Sequence, residues 1–330
     1  MSVLEVRELS VQYIVEDPSA KAGQVALQAV EGVSFNLEQG RSLGLVGESG
    51  CGKTTIMLSL LRLLPEAGRI VGGQILFDDR DLLQVSEHEM QAVRWHDIAM
   101  VFQGAMNALN PVRTVESQIV EAMQLHNVIE SGKDARQRAG ELLELVGISA
   151  KRGRQYPHQY SGGMRQRAMI AMALACSPRI LIADEPTTAL DVMIQAQIIE
   201  LLEELQRELN LALVVVTHDL GLVAEMCDDV LVMYGGTVAE YANSDTIFND
   251  PRHPYTQRLL QAFPDIVEPG SALASIPGTP PRLDDLPLGC RFEPRCHVAQ
   301  GATICAQIHP PDIEITSGHR VACHLVKGQA

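Results

Sequence analysis

The chain has 330 residues, of which 46% are hydrophobic; that is ample for a buried core and longer than one typical domain, so two unequal domains are expected. With 41 acidic against 26 basic residues the formal charge is −15, which argues against binding nucleic acid or anionic lipid through the whole surface and leaves only local basic patches for such contacts. No apolar run of about 18 or more uncharged residues exists to span a bilayer, and the start, MSVLEVRELS, has an early glutamate and no signal-like apolar core, so the chain is expected to stay in the cytoplasm.

Residues 3–46 read as strands, ALQAVEGVSFNLE among them, and place Tyr13 of LSVQY beside the first strand-to-helix crossover. The apolar run from Ser42 to Val46 leads into Gly47-Glu48-Ser49-Gly50-Cys51-Gly52-Lys53-Thr54, and the helix-forming TTIMLSLLRLL, with Thr55, follows. This is a complete phosphate-loop pattern with the right flanks. Its glycines let backbone N–H groups curl around a phosphate, and the next helix turns its positive end to the same anion. Lys53 would bridge the β- and γ-phosphates, and Thr54 would place its hydroxyl on Mg²⁺. Cys51 fills a variable position where a small residue is enough.

Gln103 follows the strand DIAMVF, and the stretch from 104 to 160 holds TVESQIVEAMQLH and ARQRAGELLELVG, both with helical apolar spacing. In YSGGMRQR the turn Ser161-Gly162-Gly163-Met164 feeds the helix RQRAMIAMALA, offering a second anion site from backbone N–H groups and the Ser161 hydroxyl. Taken alone it would be an ordinary flexible turn. RILIAD reads as a buried strand of a parallel sheet, and ligands bind beyond the carboxyl ends of such strands. There Asp184 would hold Mg²⁺ through its water shell, and Glu185 would orient or deprotonate the attacking water. Asp191 in ALD precedes the helix IQAQIIELLEELQREL, LALVVVT leads to His218, and the strands VLVMY and GTVAEY bring an ATPase core to its end near 245.

Prolines at 264, 269, 277, 280, 281 and 287 then mark an extended connector. Four of the seven cysteines, Cys290, Cys296, Cys305 and Cys323, crowd the end of the chain. A pair of disulfides does not suit a cytosolic chain, while four free thiols remain an option. A four-thiolate metal site is favoured, because thiolates can organise a loop-rich module that has too little core of its own. The gaps C-x5-C, C-x8-C and C-x17-C match neither zinc-ribbon pairs nor the bacterial ferredoxin run. Cys51, Cys176 and Cys227 read as packing residues, and His297, His309, His319 and His324 as reserve ligands.

Together the phosphate loop, the SGG turn and the Asp-Glu strand end resemble the ATP-binding-cassette (ABC) ATPases, whose signature is usually LSGGQ-like; Met164 departs from the commonest glutamine. The resemblance implies an α/β fold with a P-loop ABC ATPase domain over 1–250, comprising a RecA-like core, an antiparallel β subdomain and a helical subdomain at about 104–175. A small loop-rich, cysteine-containing extension would occupy 251–330. By the same likeness Ser161, Gly162, Gly163 and Met164 close on the γ-phosphate held by a partner's phosphate loop, so that two subunits sandwich two nucleotides head to tail. Gln103 matches the glutamine that reaches Mg²⁺ and the attacking water, with Gly104 standing where an acidic residue is usual. His218 matches the switch histidine that holds the γ-phosphate and Glu185 together. Asp191 matches the loop passing between the subunits, and Tyr13 the ring stacked on adenine.

The tail, including RHPYTQRLL at 252–260, resembles the C-terminal extension of dipeptide and oligopeptide transporter ATPases, in which the four matching cysteines hold a [4Fe-4S] iron–sulfur cluster; Zn²⁺ is the alternative. What the resemblance implies is ATP hydrolysis driving peptide import across the cytoplasmic membrane, with nickel, glutathione or sugar import as variants. The implied partners are a second, similar ATPase in a heterodimer, two membrane permease subunits docking on 104–130, and an extracytoplasmic substrate-binding protein. The implied place is the cytoplasmic face of the membrane. A non-transport ABC ATPase would usually show tandem cassettes or a long coiled-coil insertion, and a silent regulator would lack Glu185 or His218; the sequence has neither feature.

Overall fold

The alternation in SVLEVRELSVQY is that of a strand with one covered face, and in β1 (Ser2–Glu16) Leu4, Val6, Leu9 and Val11 are buried. Strands β2 (Gln24–Glu38) and β3 (Ser42–Val46), helix α1 (Lys53–Leu60), and strands β4 (Gly68–Phe77) and β5 (Arg80–Asp81) follow. β1 pairs antiparallel with β4, Val6 opposite Ile75 and Tyr13 opposite Gly68, in a sheet of order β2-β1-β4-β5. Its register shifts between Arg7 and Ser10, where Glu8 turns left-handed with φ 49°. The helix expected over TTIMLSLLRLL stops at Leu60. Arg62 takes φ 51°, and the N–H groups of Arg62 and Leu63 return to the carbonyls of Ser59 and Leu58, a Schellman closure.

The computed structural model describes residues 2–16, 23–102, 108–188, 190–262, 276–299 and 301–326, so Gln103 and Gly104 lie outside the described residues. The chain forms two compact units, one from Glu38–Arg41 with Gln84–Val216, the other from Ser2–Leu37, Ser42–Leu83 and the chain from Thr217 onward.

The first unit carries α2 (Glu87–Val93), β6 (Ile98–Val101), α3 (Val115–Leu125), α4 (Gly132–Leu145), α5 (Gly162–Ala173), β7 (Ile180–Asp184), α6 (Val192–Leu209) and β8 (Ala212–Val216). Its strands β6, β7 and β8 are parallel, with Ile98 opposite Ile180 and Ile180 opposite Ala212. Every residue of β7 and β8 is buried, as continuous apolar runs in a parallel sheet require. The hydroxyls of Thr114, Ser131 and Ser161 cap α3, α4 and α5 by accepting from N–H groups three residues on. In α6 the stripe Ile198, Leu201, Leu202 and Leu205 is buried at the spacing of one helical face, and left-handed Asn210 ends the helix.

The second unit adds α7 (Leu220–Met226), β9 (Asp229–Tyr234), β10 (Thr237–Asn243), α8 (Ser244–Asn249), α9 (Pro254–Gln261), α10 (Thr303–Gln307), β11 (Ile313–Thr316) and β12 (His319–Val321). β3 pairs parallel with β9, Leu45 opposite Leu231. Gly235 and Gly236, both at positive φ, form the two-residue turn from β9 into β10. β12 pairs antiparallel with β10, Tyr241 opposite Arg320, and β11 with β12. The C-terminal hairpin therefore extends the sheet on which β3 delivers the phosphate loop. The architecture is the α/β one implied by the resemblance, with its antiparallel sheet and a helical stretch between β6 and β7. Among the described residues no helix is long and apolar enough to cross a membrane.

Candidate active site

In the second unit the chain leaves β3 and turns at Gly47 (φ 145°), where a Cβ would lie 2.2 Å from the Met233 carbonyl oxygen; one on Gly52 (φ 103°) would lie 2.8 Å from that of Ala29. Neither position can carry a side chain, so the loop curls with its backbone tight against the strands behind it. Lys53 is 9% exposed and donates Nζ to the carbonyls of Gly47 (2.6 Å) and Glu48 (3.2 Å) and to Cys51 Sγ at 3.6 Å. Burial raises the Cys51 thiol pKa against the pull of Lys53, so this cysteine is a protonated packing group. Ser49, Gly50 and Thr54 are exposed. The Tyr13 hydroxyl lies 3.3 Å from Thr55 Oγ1, which puts the aromatic ring expected at adenine beside the loop's helix. His218 is exposed and lines a cleft of about 310 Å³ with Gly47, Glu48, Leu220, Leu259, Ala262 and Ile276.

The first unit carries the other motifs. Asp184 ends β7 and is 4% exposed. Glu185 sits at φ 44°, a left-handed conformation that costs about 1–3 kcal/mol for a residue other than glycine and tends to persist where function needs it. Its N–H donates to the Val216 carbonyl at 2.8 Å, and Thr188 Oγ1 donates to Glu185 Oε2 at 2.8 Å. Ser161 caps α5 by accepting from the Met164 N–H at 3.3 Å, and Asp191 caps α6 by accepting from Ile194 at 3.0 Å. Gly163 joins the two, since a Cβ there would lie 2.6 Å from Ile194 Cγ2. The SGG turn and Asp191 are thus brought together by the close packing of α5 on α6.

The expected iron–sulfur cluster on Cys290, Cys296, Cys305 and Cys323, with its zinc alternative, is overturned. Among the described residues no group of three or more His, Cys, Asp or Glu side chains is arranged to hold a metal ion. The expectation rested on a module with too little core, and the extension has one. Phe292 is 1% exposed and packs edge-on against Tyr234 and Tyr255, Cys323 joins Ile315 and Val321 in an apolar cluster, and Arg291 pairs with Glu31. Burying one phenylalanine is worth about 1.5–3 kcal/mol, so apolar packing replaces metal bonds as the fastener. Burial pushes the Cys290 thiol up to about 11 and raises those of Cys305 and Cys323, with mutual repulsion adding to it, so these are protonated packing thiols. The reserve histidines include His319, engaged with Glu240 at 2.7 Å, and His324, engaged with the Ile308 carbonyl at 2.8 Å.

Sequence reasoning passed over three residues that steady these motifs. Thr188 holds the Glu185 carboxylate. Tyr255 accepts the Glu48 N–H at 3.0 Å, and Arg295 grips the Glu48 carboxylate with two nitrogens. Tyr255 lay within RHPYTQRLL, which carried a likeness but no role; Arg295 stands beside a cysteine that drew the attention.

The profile of the ABC transporter family matches residues 30–188, and that of the oligopeptide/dipeptide transporter C-terminal region matches 239–305. The dipeptide transport ATP-binding protein DppD of Bacillus subtilis (strain 168) is 47% identical, over 96% of this chain and 94% of its own length. The oligopeptide transport ATP-binding protein OppD of Escherichia coli (strain K12) is 46% identical, over 98% and 93%. Among solved structures, the dimeric ATP-binding cassette MJ0796 in a post-hydrolysis state bound to ADP and Pi superposes with a TM-score of 0.63 at 26% identity, covering 73% of this chain and 98% of that one.

Proposed function

Because the chain belongs to the ABC transporter ATP-binding proteins of the dipeptide and oligopeptide type, we propose that its phosphate loop and Asp184-Glu185 pair serve the ATP hydrolysis that powers peptide import. As a member of that family it is an ATPase using ATP with Mg²⁺, and it works in an ATPase dimer with membrane permeases. The observation that carries the residue assignment is the phosphate loop itself: closed to side chains at Gly47 and Gly52, with the Lys53 ammonium seated on its carbonyls. A loop whose backbone is pressed against the strands behind it, with one buried cation seated on its carbonyls, suits a phosphate chain.

In this reading residues Gly47 to Thr55 hold the triphosphate, and Lys53 exchanges its carbonyl partners for β- and γ-phosphate oxygens. Thr54 and Asp184 are hard oxygen donors of the kind Mg²⁺ takes, and the ion supplies charge neutralisation on the phosphates when bound. Glu185 orients the attacking water while Thr188 fixes its carboxylate; His218 and Gln103 assist, and Tyr13 stacks on adenine. Ser161, Gly162, Gly163, Met164 and Asp191 serve the nucleotide on the second ATPase. The cassette spans 1–250 with its helical subdomain at about 104–175, and the extension spans 251–330. The second ATPase is a different chain, an extracytoplasmic binding protein delivers the peptide, and the assembly sits at the cytoplasmic face through its permeases.

The test is uptake of a labelled dipeptide into proteoliposomes holding the assembled transporter. Lys53→Ala is expected to abolish both MgATP binding by this chain and ATP-dependent uptake. Uptake at the wild-type rate by this variant would refute the assignment.

A further inference from the structure

The phosphate loop has few handles: Gly47, Ser49, Gly50 and Gly52 offer little or no side chain, and Lys53 is turned inward. Glu48 is the exception, and both of its ends are held by residues from the far end of the chain. Its N–H donates to the Tyr255 hydroxyl at 3.0 Å. Its carboxylate receives a two-pronged grip from Arg295, Nη1 to Oε2 at 2.6 Å and Nη2 to Oε1 at 3.1 Å. Its carbonyl meanwhile accepts from Lys53 Nζ. Every polar group of Glu48 is therefore engaged, two of them by the region after Asp250.

Arg295 is 8% exposed and spends its remaining donors on the Tyr234 hydroxyl (3.1 Å) and on the carbonyls of Pro277 (2.8 Å), Ile276 and Gly278 (both 3.4 Å). Those carbonyl contacts alone would fasten the connector at residues 276–278. The Glu48 pair adds a charge-assisted, bidentate bond with a fixed plane and direction, aimed at the second residue of the phosphate loop. A buried guanidinium left without its carboxylate is costly, so the pair holds Glu48 in one place.

We propose that Arg295 is a positioning residue for ATP binding: through Glu48 it ties the C-terminal extension to the phosphate loop and sets the loop's shape for the nucleotide phosphates. This rests on the reading of residues 47–55 as the phosphate site. The extension then acts as a brace for the loop at Glu48. Misplacing a positioned group by about 1 Å can cost around a hundredfold, and the loop retains its Tyr255 bond, so a loss of about tenfold is expected here.

The experiment compares Arg295→Met, Arg295→Lys, Glu48→Gln and the Arg295→Met/Glu48→Gln double variant in the full-length chain, reading MgADP affinity by calorimetry and ATPase kinetics in the assembled transporter. Arg295→Met is expected to weaken MgADP binding and raise KM for ATP about tenfold, with kcat changed less than about twofold. Arg295→Lys, which keeps the charge but not the fork, is expected to restore part of the affinity. Glu48→Gln should match Arg295→Met, and the double variant should be no worse than either alone, as two ends of one interaction demand. Should Arg295→Met fail to fold, Glu48→Gln decides, since it leaves the connector contacts of Arg295 in place. Wild-type nucleotide affinity in Glu48→Gln, or additive losses in the double variant, overturns the proposal. Lys53→Ala separates the two levels: if it abolishes MgADP binding while the Arg295 and Glu48 variants bind normally, only the positioning role fails. If Lys53→Ala binds normally, the phosphate-site reading falls and this proposal with it.

Discussion

A carboxylate proposed to orient water must be held still, and Glu185 is held by a left-handed backbone and by the Thr188 hydroxyl. Glu185→Gln keeps the size and a hydrogen-bond acceptor for Thr188 but removes the carboxylate proposed as the base. It is expected to retain MgATP binding, lower turnover by about 10²- to 10⁴-fold and trap the closed, nucleotide-loaded dimer. Steady-state hydrolysis by the assembled transporter checks this, and near-normal turnover refutes the role. The places of Lys53 after β3 and of Asp184 and Glu185 at the end of β7 were legible in the sequence because each sits in a contiguous run with its own strand and turn signals. Arg295 was not, because its partner lies 247 residues away and no local pattern encodes such a meeting. The cysteines misled for a related reason. Their crowding along the chain is visible in the sequence, but whether Phe292 and Val321 already supply a core depends on β9, α9 and β12 coming together.

Helix α9 shows how one element depends on buried polar groups. The Glu240 carboxylate, with 0% exposure, accepts from the N–H groups of Arg252 (2.7 Å) and His253 (2.9 Å) and from His319 Nε2 (2.7 Å), joining β10, α9 and β12. Glu240→Ala would strand all three donors, and a loss of about 3–5 kcal/mol is expected. Urea denaturation reads it directly; a loss below about 1 kcal/mol, the scale of a solvated surface pair, would mean the cluster is not holding the hairpin. His253 caps α9 by accepting the Tyr255 N–H on Nδ1 at 3.0 Å, a bond that requires the neutral ring. Burial pushes its pKa down to about 4 from an ordinary 6.5. The neutral-ring contribution is therefore complete above pH 6.5 and is lost as pH falls toward 4. Denaturation midpoints across that range should fall with acid in the wild type and fall less in His253→Asn, which caps without titrating; identical slopes would refute the assignment. At this scale the helical spacing of α3, α4 and α6 was readable in advance. The early end of α1 was not, because its left-handed closing residue is Arg62 rather than the glycine that usually announces one.

At the scale of the assembled molecule, the SGG turn is expected to serve a nucleotide that this chain does not itself hold. Ser161→Arg places a bulky side chain at the α5 cap, and is expected to disturb ATP on the partner ATPase more than ATP on this chain's own Lys53. Trapping labelled nucleotide separately on each subunit decides it, and a loss confined to this chain's own phosphate loop would refute the head-to-tail arrangement. The unit that carries the phosphate loop is assembled from three separated stretches of chain, with β3 paired to β9 and Glu48 anchored by Tyr255 and Arg295. For biosynthesis this sets an order of events. At about 5–20 residues per second, Arg295 is added roughly 10–50 s after Glu48. β9 and Tyr255 emerge first, and until they do β3 waits with unpaired backbone groups that a chaperone or another chain could engage; the grip of Arg295 on Glu48 comes last. The phosphate loop is thus fully braced only late in translation, and premature termination between Tyr255 and Arg295 releases a chain whose Glu48 is held at its N–H but not at its carboxylate.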